Sequence, residues 1–152
     1  SKKDIKNILL WRPSDISEIE GVTKKGGSWI ILIKSATNVL KGDNFVFVYP
    51  ELLQNKVIVT KGEVITSEIL GKEAFNIRNI NSKIKTLLRK TRDEIKSRGS
   101  IVNEITTRGD FIKKIRDSLE INQDNKYLIE VLSLKESKTA EPIIVDLKIT
   151  KL

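Results

Sequence analysis

Residues 76–98 read NIRNINSKIKTLLRKTRDEIKSR, and the spacing of their apolar side chains decides what kind of chain this is. Ile77, Ile80, Ile84, Leu87, Thr91 and Ile95 follow one another at steps of three and four, the period of an amphipathic helix. Asn76, Asn79 and Asn81 are poor helix formers, so regular helix is expected from Ser82 as N-cap to a stop at Gly99. The same segment holds eight bases, Arg78, Lys83, Lys85, Arg89, Lys90, Arg92, Lys96 and Arg98, against Asp93 and Glu94. At 100° per residue, Arg78, Lys85, Arg89, Arg92 and Lys96 fall within an arc of about 60° beside the apolar stripe. Such a row can follow a line of phosphates. A helix that solvates its outer face with long basic side chains looks the same from sequence.

On either side of this helix the period drops to 2. Upstream, Trp29-Ile-Ile-Leu-Ile33 is a continuous apolar run suited to a buried strand, and Gly42-Asp43-Asn44 turns the chain into Phe45-Val-Phe-Val-Tyr49, which Pro50 is expected to end. Val57–Thr60 and Glu63–Thr66 flank Lys61-Gly62 and read as a hairpin. Ser14 is placed to cap a helical turn through Glu20, with Gly21 as its stop. Downstream, Asp110 is the expected N-cap of a second helix reaching about Ile121, and Ser100–Thr107 is a candidate third. The tail returns to strands at Tyr127–Leu134 and Ile143–Thr150; in the latter Ile143, Val145, Leu147 and Ile149 share one face.

The expected fold class is therefore α+β: an N-terminal antiparallel β unit, two to three central helices, and a C-terminal β-hairpin returning to complete the sheet. No repeat or Pro/Gly-rich linker breaks the chain. It reads as one domain over residues 1–152, with subdivisions at 1–66, 67–123 and 124–152.

Composition narrows the chemistry. The 152 residues carry 28 Lys and Arg against 20 Asp and Glu, a net charge of +8, which favours polyanionic partners. Cysteine, histidine and methionine are absent. Disulfides, Cys/His zinc sites, thiol nucleophiles and imidazole acid–base chemistry are excluded with them. Lack of Cys and Met beside abundant Lys, Glu and Ile fits heat adaptation, as it also fits an AT-rich genome. No apolar run approaches the roughly 20 residues of a membrane span, and Ile8-Leu-Leu-Trp11 is too short for a signal-peptide core. The expected location is cytoplasmic, with no membrane partner and no cofactor.

Phe45, Phe47 and Tyr49 alternate and point to one side of their strand. Exposed, they would form a platform for unpaired bases; since Val46 and Val48 make the other side apolar too, a buried central strand is the stronger expectation. Trp11, then Lys24-Lys-Gly-Gly-Ser-Trp29, then Asn44-Phe-Val-Phe-Val-Tyr-Pro50 resembles the order of elements in cold-shock-type OB folds, over residues 4–80. The resemblance implies an OB-like barrel in which Trp11, Trp29, Phe45, Phe47 and Tyr49 stack on single-stranded nucleic acid. Tyr49 stands where that family has histidine.

Two further constellations bear on function. Lys24 and Lys25 sit in a glycine-containing loop and are candidate phosphate contacts, although Gly27 occupies the place of a P-loop lysine. Glu130, Asp146 and Lys148 echo the acidic-x-Lys strand of metal-dependent nucleases. The leading expectation is a non-enzymatic nucleic-acid-binding protein, for DNA or RNA, with little sequence specificity. Its site residues are Arg78, Lys85, Arg89, Arg92 and Lys96 with Lys24, Lys25, Trp29 and Phe47. The alternative is an assembly subunit whose Ile77–Ile95 stripe docks on a second copy or on an acidic protein. A third reading is the nuclease.

Overall fold

The computed structural model describes residues 7–40, 42–71, 77–118 and 125–152, and of residues 77, 78, 112 and 116 the backbone alone. Among these residues the chain is mixed α+β, with nine strands in three sheets and three helices. It divides into two compact units, residues 1–55 and 56–152.

The first unit contains β1 (Asn7–Leu10), α1 (Asp15–Thr23), β2 (Trp29–Ser35) and β3 (Phe45–Gln54). Its sheet has the order β1-β3-β2, with β2 antiparallel and β1 parallel to β3. The pairing thus departs from the all-antiparallel expectation, and where an OB barrel closes five strands this sheet is open with three. Trp29–Ile33 is not buried, because β2 lies at an edge and leaves Ile31 and Ile33 exposed. Pro50 does not end β3. Ala36 donates to Phe47 and Asn55 to Ser28, so the alternation turns position 50 away from β2, beyond the last β1 contact at Val48, where a missing N–H costs no ladder bond. Helix α1 runs through Gly21 to Thr23, and Ser14 makes no side-chain cap bond.

The second unit holds β4 (Val57–Val59), β5 (Val64–Leu70), α2 (Ile77–Ser97), β6 (Ile105–Thr107), α3 (Phe111–Ser118), β7 (Tyr127–Ser133), β8 (Ser137–Lys138) and β9 (Ile143–Lys151). A four-stranded sheet has the order β5-β7-β9-β6, and β4 pairs with β8. The tail hairpin is present, with Tyr127 opposite Lys151 and Ser133 opposite Val145, and it completes this sheet rather than the N-terminal one. The turn at Lys61-Gly62 forms, with Gly62 at φ +81°, but β4 and β5 diverge to different partners instead of pairing as a hairpin. Ser100–Thr107 is not helical: β6 adds a parallel edge strand beside β9.

Helix α2 begins at Ile77, five residues before the expected cap, because burial of its apolar stripe outweighs the weak propensity of the asparagines. It ends as a Schellman motif, in which Gly99 takes φ +103°, its N–H donates to Lys96 and that of Ser100 to Ile95. Asp110 caps α3 through Oδ1, which accepts from the Lys113 N–H at 3.1 Å; the expected extension to Ile121 falls outside the described residues. Ile80, Ile84, Leu87 and Ile95 are buried with Ile129, Val131 and Val145 of the sheet in one core. Each such side chain contributes about 1.5–3 kcal/mol. Thr91 belongs to the same stripe and is fully buried, its hydroxyl donating to Leu87 at 2.8 Å and meeting that of Thr66 at 2.5 Å. The described members of the stripe, Ile80 to Ile95, are therefore buried in the protein's own core. Among the described residues no helix is long and apolar enough to cross a membrane.

Candidate nucleic-acid interface

Burying one stripe of α2 fixes where its bases point. On the flank beside β5, Lys83 and Lys90 converge on Glu68, with Nζ atoms 3.2 and 3.3 Å from its two carboxylate oxygens. At the C-terminal end Arg98 is held by Glu63 and Glu94 and donates to the Ile58 carbonyl at 3.4 Å. These three bases are engaged in ion pairs within the fold, the two lysines sharing one carboxylate. On the other flank Lys85, Arg89 and Lys96 are exposed and form no ion pair among the described residues. Arg92 stands with them, its Nε donating to the Asn103 carbonyl at 3.1 Å, which orients the guanidinium without cancelling its charge. Asp93 is the acid that borders this row. Arg78 lies on α2, upstream of the expected cap at Ser82, and its side chain is outside the described atoms.

Glu63 anchors the end of the helix to the turn before β5. Its Oε2 accepts from the Thr60 N–H at 2.9 Å and from the Thr60 hydroxyl at 3.1 Å, while Oε1 meets Arg98. The Thr60 amide and then Arg98 hold the Glu63 carboxyl below its ordinary range, and the two glutamates raise the Arg98 guanidinium above its own.

The remaining nominated residues lie in the first unit. Lys24 is paired with Glu20 at 3.6 Å, and Lys25 is exposed on the turn after α1. Trp29 folds back onto its own loop, its indole N–H donating to the Gly26 carbonyl at 3.0 Å. Gly27, at φ +99°, permits this closure, since a Cβ there would stand 3.3 Å from the indole nitrogen. The register sets Trp29 opposite Gln54 and so on the face away from Phe47.

The strand β3 is central in its sheet as expected, but its aromatic face is not fully covered. Val46 and Val48 form the buried side of β3, while Phe45 and Tyr49 are exposed at 48% and 36% and Phe47 is half-buried between them. Trp11, exposed at 54%, meets Phe47 edge-on with ring centres 5.5 Å apart, and Phe45 meets Phe47 in the same way. Period-2 alternation groups these aromatics on one face but is silent on which face the sheet covers. Lys34, opposite Tyr49, is engaged by Glu51, whose hydrogen bond raises its pKa.

Glu130 and Asp146 share a face of the tail hairpin, and each is taken up by a lysine. Glu130 lies opposite Lys148, Nζ to Oε2 3.2 Å. Asp146 Oδ1 accepts from Lys114 Nζ at 2.7 Å and from the Leu147 N–H at 2.8 Å. Burial pushes the Asp146 carboxyl up, but Lys114, the Leu147 amide and the charge of Arg108 outweigh it and hold the pKa low. Among the described residues no three carboxylates gather in a group that could hold a metal.

No protein-family model, curated protein or solved structure matches the chain.

Proposed function

We propose that this protein binds nucleic acid through its backbone charge, with little sequence specificity. The observation that carries the reading is the division of bases on α2: Lys83 and Lys90 beside the sheet are ion-paired with Glu68, while Lys85, Arg89 and Lys96 stay exposed and without an ion pair among the described residues, with Arg92 alongside. A helix rising about 1.5 Å per residue spreads Lys85 to Lys96 over roughly 16 Å, the length of several phosphates. Contacts of this kind position a polyanion and carry no base information. The exposed rings of Trp11 and Phe45 support a supplementary role for stacking of unpaired bases, which contributes about 1–3 kcal/mol per base.

The test is a salt titration of binding to single-stranded and duplex DNA and RNA of mixed sequence. Affinity falls linearly on a log–log scale as salt rises, with similar constants for unrelated sequences. Binding that is undetectable at low salt, or indifferent to salt, contradicts the proposal.

A further inference from the structure

The first unit is poor in core. Among its described residues Val46 and Val48 are the buried hydrophobic side chains, whereas the core cluster lies wholly within residues 56–152. A unit of 55 residues is near the size at which a single core becomes marginal. Its exposed apolar side chains gather on and beside β1: Ile8 is 69% exposed, Leu9 43% and Leu10 37%, followed by Trp11.

Strand β1 is also an unpaired edge. Asn7 donates to the Asn44 carbonyl at 3.1 Å and Trp11 to Val48 at 2.8 Å, so the alternation turns the N–H and C=O of Ile8 and Leu10 outward, where no described strand meets them. Natural edges of this kind are blunted by charge, especially lysine. The other edge, β2, carries Lys34; β1 carries no charge at all.

We infer that β1 is a homodimer interface, pairing antiparallel with β1 of a second copy across a two-fold axis at Leu9. An antiparallel edge is self-complementary. Ile8 exchanges both backbone hydrogen bonds with Leu10 of the second copy, and Leu10 with its Ile8, so four outward groups on each strand are satisfied together. The two Leu9 side chains then face each other on the axis, in the close, non-hydrogen-bonded type of pair, next to Phe47 of each copy. Residues 1–55 hold eight bases and six acids, so self-association through this unit sets little like charge together. An acidic protein or a polyanion finds no cation on β1 to attract it. This surface is independent of the basic row on α2.

Light scattering on the purified full chain, without nucleic acid and across a dilution series, reads the mass. The expected result is twice the chain mass, giving way to one chain on dilution. Leu9→Lys, at an exposed position that the fold tolerates, opposes two ammonium groups on the axis and raises the dimer dissociation constant by on the order of tenfold or more; Ile33→Lys on β2 leaves it unchanged. A second measurement fixes the register. The chain has no cysteine, and Leu9→Cys places two thiols on the axis at a Cα separation of about 4.5 Å, within disulfide reach, so it oxidises to a covalent dimer while Ile33→Cys does not. A single-chain mass throughout, masses climbing beyond two chains, a dimer indifferent to Leu9→Lys, or equal cross-linking of the two cysteine variants each overturns the proposal.

Discussion

Glu68 on β5 holds Lys90 of α2 with Oε2 and Nζ 3.3 Å apart, while Arg89, the residue before it, turns the other way and meets no carboxylate among the described residues. One helix therefore has an ion-paired flank and one whose bases are left without acids among the described residues. The difference arises from the sheet: the acid on β5 reaches only the bases that burial of the stripe directs toward it.

Removing that acid enlarges the charged surface. Glu68→Gln frees Lys83 and Lys90 to meet phosphates, so affinity for nucleic acid rises and the salt slope steepens by up to about 0.7–0.9 per added contact. Both ion pairs are partly exposed on the lysine side, so the loss of stability stays within about 1 kcal/mol. An unchanged slope shows that the β5 flank never meets the ligand.

Phe47 separates stacking from packing. Truncation to alanine removes two edge-on ring contacts, at about 0.5–1.5 kcal/mol each, from a half-buried site, so chemical denaturation should register a loss of about 1–3 kcal/mol. Affinity for a single strand should fall while duplex affinity holds. A stability loss of about 3–5 kcal/mol with unchanged single-strand binding returns Phe47 to the role of a core residue.

Glu63 predicts an acid limb in stability. Its folded pKa is lowered, so its stabilisation is complete above the ordinary carboxylate value and is lost as pH falls through the lowered one. Glu63→Gln costs about 1–3 kcal/mol at neutral pH, through the hydrogen bonds to Thr60 and Arg98, and flattens the decline of stability in that acid window. If wild type and variant lose stability in parallel on acidification, the anchor is not electrostatic.

Asp146 tests the remaining enzymatic alternative. With its carboxylate committed to Lys114, the purified protein should leave DNA and RNA intact in Mg²⁺ or Mn²⁺, and Asp146→Ala should barely change nucleic-acid affinity. Metal-dependent cutting that disappears in a folded Asp146→Ala variant would establish a nuclease in place of a binding protein.

The elements themselves were largely legible in the sequence. Period 3.6 at Ile80–Ile95 and period 2 at Ile143–Ile149 both report burial of one face, and the structure buries those faces. Strand partners were not legible: the Lys61-Gly62 turn has hairpin chemistry, yet β4 and β5 go to different sheets, a choice made by the distant β7 and β8. Nor does alternation reveal which side of β3 is covered, since Val46 and Phe47 are both apolar and burial depends on what the rest of the chain lays over them. At the charged site, sequence located the row on α2, but only the position of Glu68, more than a dozen residues upstream, distinguishes free bases from paired ones.

The division of bases on α2 is tested most directly by two triple variants matched in charge. One changes Lys85, Arg89 and Lys96 to Gln; the other changes Lys83, Lys90 and Lys148, each ion-paired in the fold. Log affinity is then followed against log salt on one duplex and one single strand. The first variant should flatten the slope by roughly two to three units whatever the base sequence, and the second should leave it nearly unchanged. Equal losses in the two would mean that net charge alone attracts the polyanion and that the exposed row on α2 is a solvated surface.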